Sequence, residues 1–197
     1  MKKGCLIAAV VVIVLILAVG GWLVGVRNSF VDKEETVESA WSQVENVYQR
    51  RADLVPNLVA TVKGYAEHEQ STLEGVMNAR AKATQVTIDP ANLDAESIKR
   101  YQEAQGELGA ALSRLIAVSE NYPDLKANEN FMTLQAQLEG TENRITTERK
   151  KFNDVARDYN ATIRKFPGSI VAAIFGFDRK PYFEAMAGAE VAPKVEF

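Results

Sequence analysis

The chain has 197 residues, with 23 Lys and Arg against 26 Asp and Glu, one His, one Cys and a formal net charge of −3. With Lys2 and Lys3 set aside, the rest carries 21 basic against 26 acidic residues, a net of −5. That balance excludes the basic face a nucleic-acid binder needs and argues against a domain lying flat on anionic lipid. One Cys cannot close an internal disulfide and one His cannot build a His-based metal cluster, so no cofactor is expected.

Residues 4–26, GCLIAAVVVIVLILAVGGWLVGV, contain no charged side chain. As a helix, residues 5–26 reach roughly 33 Å, enough for the ~30 Å hydrocarbon core of a bilayer. The run is longer than the apolar part of a signal peptide, and no small-x-small cleavage site stands out before Arg27. Cys5 precedes the run, whereas the modified Cys of a lipoprotein signal follows it. Residues 5–26 therefore read as an uncleaved single-pass anchor, with Gly21 and Gly25 in GxxxG spacing.

Residues 27–31 read as a short link. Asp32, with Glu35 three residues on, has capping-box spacing, and Val37, Trp41, Val44, Tyr48, Ala52 and Val55 then mark one helix face. The face continues through Leu58, Val62, Tyr65, Ala66, Leu73, Val76 and Met77. Pro56 falls inside it, and a proline there removes a hydrogen bond and clashes with the preceding turn. A straight helix over 32–86 would be roughly 80 Å long. Its face over 41–55 would stand bare unless the last helix covered it. A strong kink or a reversal at 53–56 is expected instead, with Asp53 as the alternative N-cap of a new helix.

Residues 87–93, TIDPANL, read as a loop. Asp94 is the expected N-cap of the next helix, with Leu93 and Ile98 in staple positions. That helix should bury Ile98, Tyr101, Gln105, Leu108, Leu112, Leu115 and Ser119 before Tyr122-Pro123 stops it. Asn128 should cap the last long helix. Its heptad-like stripe is Phe131, Leu134, Leu138, Thr141, Ile145, Glu148, Phe152, Val155, Tyr159, Thr162 and Phe166. Residues 169–177 are apolar but too short to span. Tyr182, Phe183 and Phe197 are candidates to pin the tail. No strand pattern competes. The expected fold is all-α, an N-terminal transmembrane helix followed by an antiparallel, four-helix bundle of long helices. The segments are a flank at 1–4, the span at 5–26, the bundle at 27–177 and an irregular tail at 178–197.

His68 stands between Glu67 and Glu69 without the second His that a zinc protease helix needs. The carboxylate pairs Glu103/Glu107, Glu139/Glu142 and Asp154/Asp158 share helix faces, as solvated faces commonly do. More informative are polar residues within or beside the stripes: Arg51, Asp53, Glu142, Asn143, Arg144, Glu148, Asn153 and Asn160. Buried polar groups must find partners. These eight are candidates for a structural network across helices or for a partner site.

Three stretches also carry a family resemblance. Residues 50–69 read RRADLVPNLVATVKGYAEHE, 120–145 ENYPDLKANENFMTLQAQLEGTENRI, and 157–167 RDYNATIRKFP. With WSQV at 41–44 and FGF at 175–177, they closely resemble the LemA family of bacterial membrane proteins. The resemblance implies an N-terminal anchor, a helical bundle at 27–177 and a bacterial inner-membrane setting. It supplies no activity. It suggests an association with membrane zinc proteases, and hence an accessory regulator as an alternative function; a carboxylate or metal enzyme is a further one. The primary expectation is a non-enzymatic interaction or scaffold module of the cell envelope. Its expected partners are the bilayer, through residues 5–26, and a protein partner or a second copy.

Orientation rests on a small bias. Lys2, Lys3 and the α-amino group face Arg27 and Lys33 across the span, which favours the N-terminus inside and the bundle outside the cytoplasm. The resemblance implies the reverse, so both orientations stay open.

Overall fold

The structure, a computed structural model, describes residues 2–184. Among them every regular element is a helix, with no strand. Helix α1 (Lys2–Lys63) contains 62 residues, which at 1.5 Å each gives about 93 Å. Residues 6–19 have no protein packed around them, and the apolar stretch is long and hydrophobic enough to cross a membrane.

Two expectations are corrected along α1. Residues 27–31 are helical, and Asp32 caps nothing. No Gly or Pro lies between Val26 and Val55, so nothing in the sequence ends the helix there. The chain also does not reverse at 53–56: α1 passes through Pro56. A proline at 56 leaves the carbonyl of Ala52 without its normal donor. Arg80 supplies one, donating from Nε to Ala52 O at 2.7 Å. The reversal comes at residues 64–69, beyond Gly64.

Helix α2 (Gln70–Gln85) returns alongside α1. A 3₁₀ turn at Pro90–Asn92, capped by Asp89, leads to α3 (Ala95–Ser119). Asp94 caps α3 as expected: its side chain accepts from Ser97 N at 2.7 Å, and Ser97 Oγ closes the capping box. Leu93 and Ile98 are both buried beside it. The short α4 (Pro123–Lys126) precedes α5 (Glu129–Arg164), where Asn128 Oδ1 accepts from Phe131 N at 3.0 Å. Helix α6 (Gly168–Phe175) ends at Gly176, whose φ of 73° is left-handed, a conformation that suits glycine at a helix end.

Helix α5 runs antiparallel to α1, since Arg51 meets Glu142 while Lys33 meets Asp158. It covers the face from Trp41 to Val55 that a long straight α1 would otherwise leave bare. Helices α2 and α3 form an antiparallel hairpin on the same α1. The four long helices are therefore α1, α2, α3 and α5.

Two apolar cores sit along α1. The membrane-proximal one centres on Trp41, Tyr48, Tyr101, Phe152 and Tyr159. The distal one gathers Leu58, Val62, Leu73, Val76, Leu108, Leu115 and Leu138. The stripes on α1 and α3 are buried almost as expected, but Tyr65 and Met77 face out. On α5 the buried line drifts from the heptad positions Val155, Thr162 and Phe166 to Ala156 and Ile163, and Phe166 is 82% exposed. A strict seven-residue repeat outruns the 3.6-residue turn of an unsupercoiled helix. Residues 178–184 form no helix. Phe197 lies outside the described residues.

Candidate functional site

The eight polar candidates do not form one network. Arg51, Gln105 and Glu142 form a layer between the two cores. Arg51 is 4% exposed, too buried for a charge without partners. Its Nη1 donates to Glu142 Oε2 at 2.8 Å, and its Nη2 donates to Gln105 Oε1 at 2.8 Å and to Gln105 O at 2.9 Å. The guanidinium also lies 5.1 Å above the Tyr48 ring. Gln105 Nε2 donates onward to Ala83 O at 3.3 Å. One arginine thus ties α1 to α3 and α5, and through Gln105 to α2.

Asn153 and Asn160 do something else. They lie on α5 seven residues apart, about 10.5 Å along the helix axis. Lys180 and Phe183 are three residues apart, roughly 10 Å when extended. The spacings match, and each asparagine holds one residue of the tail by its main chain. Asn160 Oδ1 accepts from Lys180 N at 2.9 Å and its Nδ2 donates to Lys180 O at 2.7 Å. Asn153 repeats this on Phe183, with 2.8 and 2.9 Å. A carboxamide presents an N–H donor beside a C=O acceptor, so each side chain pairs with the tail as a neighbouring strand would. Arg149 and Gln102 hold the carbonyl of Glu184.

The clamp delivers Phe183 into the proximal core. Its ring stacks on Trp41 at 5.7 Å and 12°, meets Phe152 edge-on at 5.4 Å, and carries the Arg149 guanidinium 4.8 Å above it. Lys180, which the sequence reading passed over, is 7% exposed. Its Nζ pairs with Glu34 Oε1 at 2.6 Å. Tyr182 Oη accepts from Asn160 Nδ2 at 2.9 Å. Of the aromatics proposed as pins, Phe183 and Tyr182 do this work.

The remaining candidates serve neither cluster. Asp53 accepts from Gln49 on the same helix, and Glu148 pairs with Lys151 three residues on. Asn143 and Arg144 are exposed. Glu103, Glu107, Glu139, Asp154, Asp158 and His68 are also exposed. Among the described residues, no three of His, Cys, Asp and Glu gather to hold a metal.

A cleft of about 740 Å³ lies beside the tail, between residues 91–95 and 178–182, with Asn160 also lining it. Two of its charged groups are already engaged. Asp94 caps α3, and the hydrogen bond from Ser97 N holds its carboxyl below the usual range. Lys180 is taken by Glu34. Burial pushes the Tyr101 and Tyr159 phenols above their ordinary range, with neighbouring carboxylates adding to it. These tyrosines therefore stay neutral packing groups. The arrangement can hold a main chain, but it assembles no acid–base pair in a cleft.

The sequence model of the LemA family matches residues 40–197. Magnetosome protein MamQ 1 of Paramagnetospirillum magneticum is 30% identical over 174 residues, covering 80% of this chain and 64% of its own length. Magnetosome protein MamQ of Magnetospirillum gryphiswaldense is 30% identical over 173 residues, covering 79% and 64%. Protein LemA of Metamycoplasma hominis is 22% identical over 149 residues, covering 76% and 64%. The chain thus spans a little under two thirds of the length of these relatives.

Proposed function

Because the chain belongs to the LemA family, we propose that it is a membrane-tethered interaction module of the bacterial cell envelope. It sits in the inner membrane as a single-pass protein, with its bundle outside the cytoplasm, and it engages a protein partner or a second copy. One observation carries this reading. Helix α1 runs without interruption from the apolar stretch into both cores. A bundle built on its own anchor is held at a fixed distance from the bilayer, which suits a platform.

The side chains that build the platform are engaged within it. Asn143 and Arg144 are the two polar candidates left on the outer face of α5, beside the Glu142 that pairs with Arg51. They are the proposed contact for the partner. Crosslinking in intact membranes at natural abundance, followed by mass spectrometry, tests this. The proposal expects a reproducible partner or self-adduct that weakens in an Asn143→Ala, Arg144→Ala chain. Recovery of the protein alone, uncrosslinked, contradicts it. Phosphatase and fluorescent-protein fusions at Phe197 test the orientation: an active phosphatase supports the extracytoplasmic bundle, and a fluorescent, phosphatase-inactive fusion reverses it.

A further inference from the structure

We propose that α6 is a second membrane contact, lying in the headgroup and outer acyl region of the same bilayer that α1 crosses. The proposal begins with where α6 is held. Its start and its end both meet α1 in the turn just beyond the apolar stretch, at Phe30 and Arg27. A Cβ on Gly168 would come within 3.1 Å of Phe30 Cζ, so glycine is what lets α6 start this close. At the other end, the Arg27 guanidinium lies 5.7 Å over the Phe175 ring, and the Phe177 ring meets Phe30 edge-on at 5.4 Å.

Residues 27 and 30 differ by only about 4.5 Å in height along α1, whereas an eight-residue helix is about 12 Å long. Helix α6 therefore crosses α1 and does not run up it. A helix that crosses a membrane-spanning helix at the level where it leaves the bilayer lies near the plane of the bilayer surface.

The two faces of α6 differ. Val171 and Ala172 are buried, and Leu23 and Val26 of α1 pack against the core to which they belong. The body of the protein thus begins inside the last turns of the apolar stretch. The opposite face presents Ile170 at 53% and Ile174 at 63% exposure, with Phe166 just ahead of the helix and Phe175, also exposed, at its end. Such a cluster exposed to water would be costly. Against lipid it adds to the exposed apolar surface of α1, which runs to Val24.

The polar frame fits the same occupant. Arg164 and Lys165 precede α6, Arg27 lies beside it and Arg179 follows, all exposed. Long basic side chains at this depth reach anionic headgroups while their stems stay in apolar surroundings. One carboxylate, Asp178, stands beside this frame, between α6 and Arg179. An apolar face with basic residues around it is the pattern of an interfacial helix.

Spin labels on the full-length chain test the proposal. In a Cys5→Ala background, single cysteines replace Ile170, Ile174, Val14 within the span and Glu139 on the exposed face of α5. Each chain is reconstituted in vesicles of phosphatidylcholine and phosphatidylglycerol. Collision with oxygen, which concentrates in lipid, is compared with collision with a water-soluble nickel chelate. The proposal expects the oxygen-to-nickel ratio at 170 and 174 to exceed that at 139 several-fold and to approach that at 14. Nickel access at 170 and 174 equal to that at 139 would show the face to be in water and overturn it. Shielding from both reagents would show the face covered by protein and overturn it as well.

Discussion

The two halves of the bundle share α1 but close in different ways. The distal core is aliphatic but for Phe131, and much of it comes from α2 and α3, neighbours in sequence joined by a short connection. The proximal core is aromatic and is completed from the far end of the chain, by Phe183. The first half is specified by periodic stripes that local contacts satisfy. The second depends on two asparagines that grip a main chain and therefore leave no side-chain pattern in the tail. The Arg51 layer lies where the two meet, and the contrast predicts unequal responses to substitution.

The largest effect should come from the aromatic half. Trp41→Ala should cost about 3–5 kcal/mol, because it removes the ring that Phe183, Phe152 and Tyr101 all touch. Chemical denaturation of the full chain measures this. A cost below that of a single exposed substitution would end the picture of a tail-closed core.

Next come the clamps. Asn160→Ala and Asn153→Ala should each cost about 1–3 kcal/mol, since each strands a donor and an acceptor of the tail. Both should loosen Phe183 from Trp41, and near-ultraviolet circular dichroism would show this as a weakened indole signal. The distal half sharpens the contrast: Leu58→Ala should cost about 2–5 kcal/mol yet leave that indole signal intact.

Arg80 offers a test at the border. Arg80→Met should cost about 1–3 kcal/mol by leaving the Ala52 carbonyl without a donor. In a Pro56→Ala chain, the new N–H can reach that carbonyl, so the same substitution should cost less. A double-mutant cycle reads the difference, and equal costs in both backgrounds would remove Arg80 as the compensation for Pro56.

The smallest effects belong to half-exposed and exposed carboxylates. Glu107→Ala should cost under ~1 kcal/mol, because Glu107 and its partner Lys82 are both largely solvated. Burial raises the Glu45 carboxyl above its ordinary range. The folded chain then holds that proton more tightly than the unfolded chain. Its contribution is full below the unfolded pKa and is lost as pH rises through the folded one. Glu45→Gln should therefore raise the melting temperature slightly near neutral pH and leave it unchanged below the carboxylate range.

Much of the fold was legible in the sequence because its cause was local. Asp94 and Asn128 cap the helices they were expected to cap, and the stripes on α1 and α3 are the buried faces. What escaped had a distant cause. The donor that lets α1 pass Pro56 is Arg80, on the next helix. The residues that occupy Asn153 and Asn160 lie 30 and 20 positions further on. Both asparagines stand out in the sequence as polar residues beside the stripe, but only the folded chain shows that a tail fits across them. The run of aromatics at 182–183 was the one signal in sequence that the tail would dock.

The central claim is that one helix carries the protein from the bilayer through both cores. A distance between spin labels at Ser39→Cys and Lys63→Cys, in a Cys5→Ala background and reconstituted vesicles, tests it most directly. A continuous helix separates these positions by 24 residues, about 36 Å along its axis. A distribution centred there supports the account. A distribution near 15 Å, the separation a reversal at Pro56 would give, contradicts it.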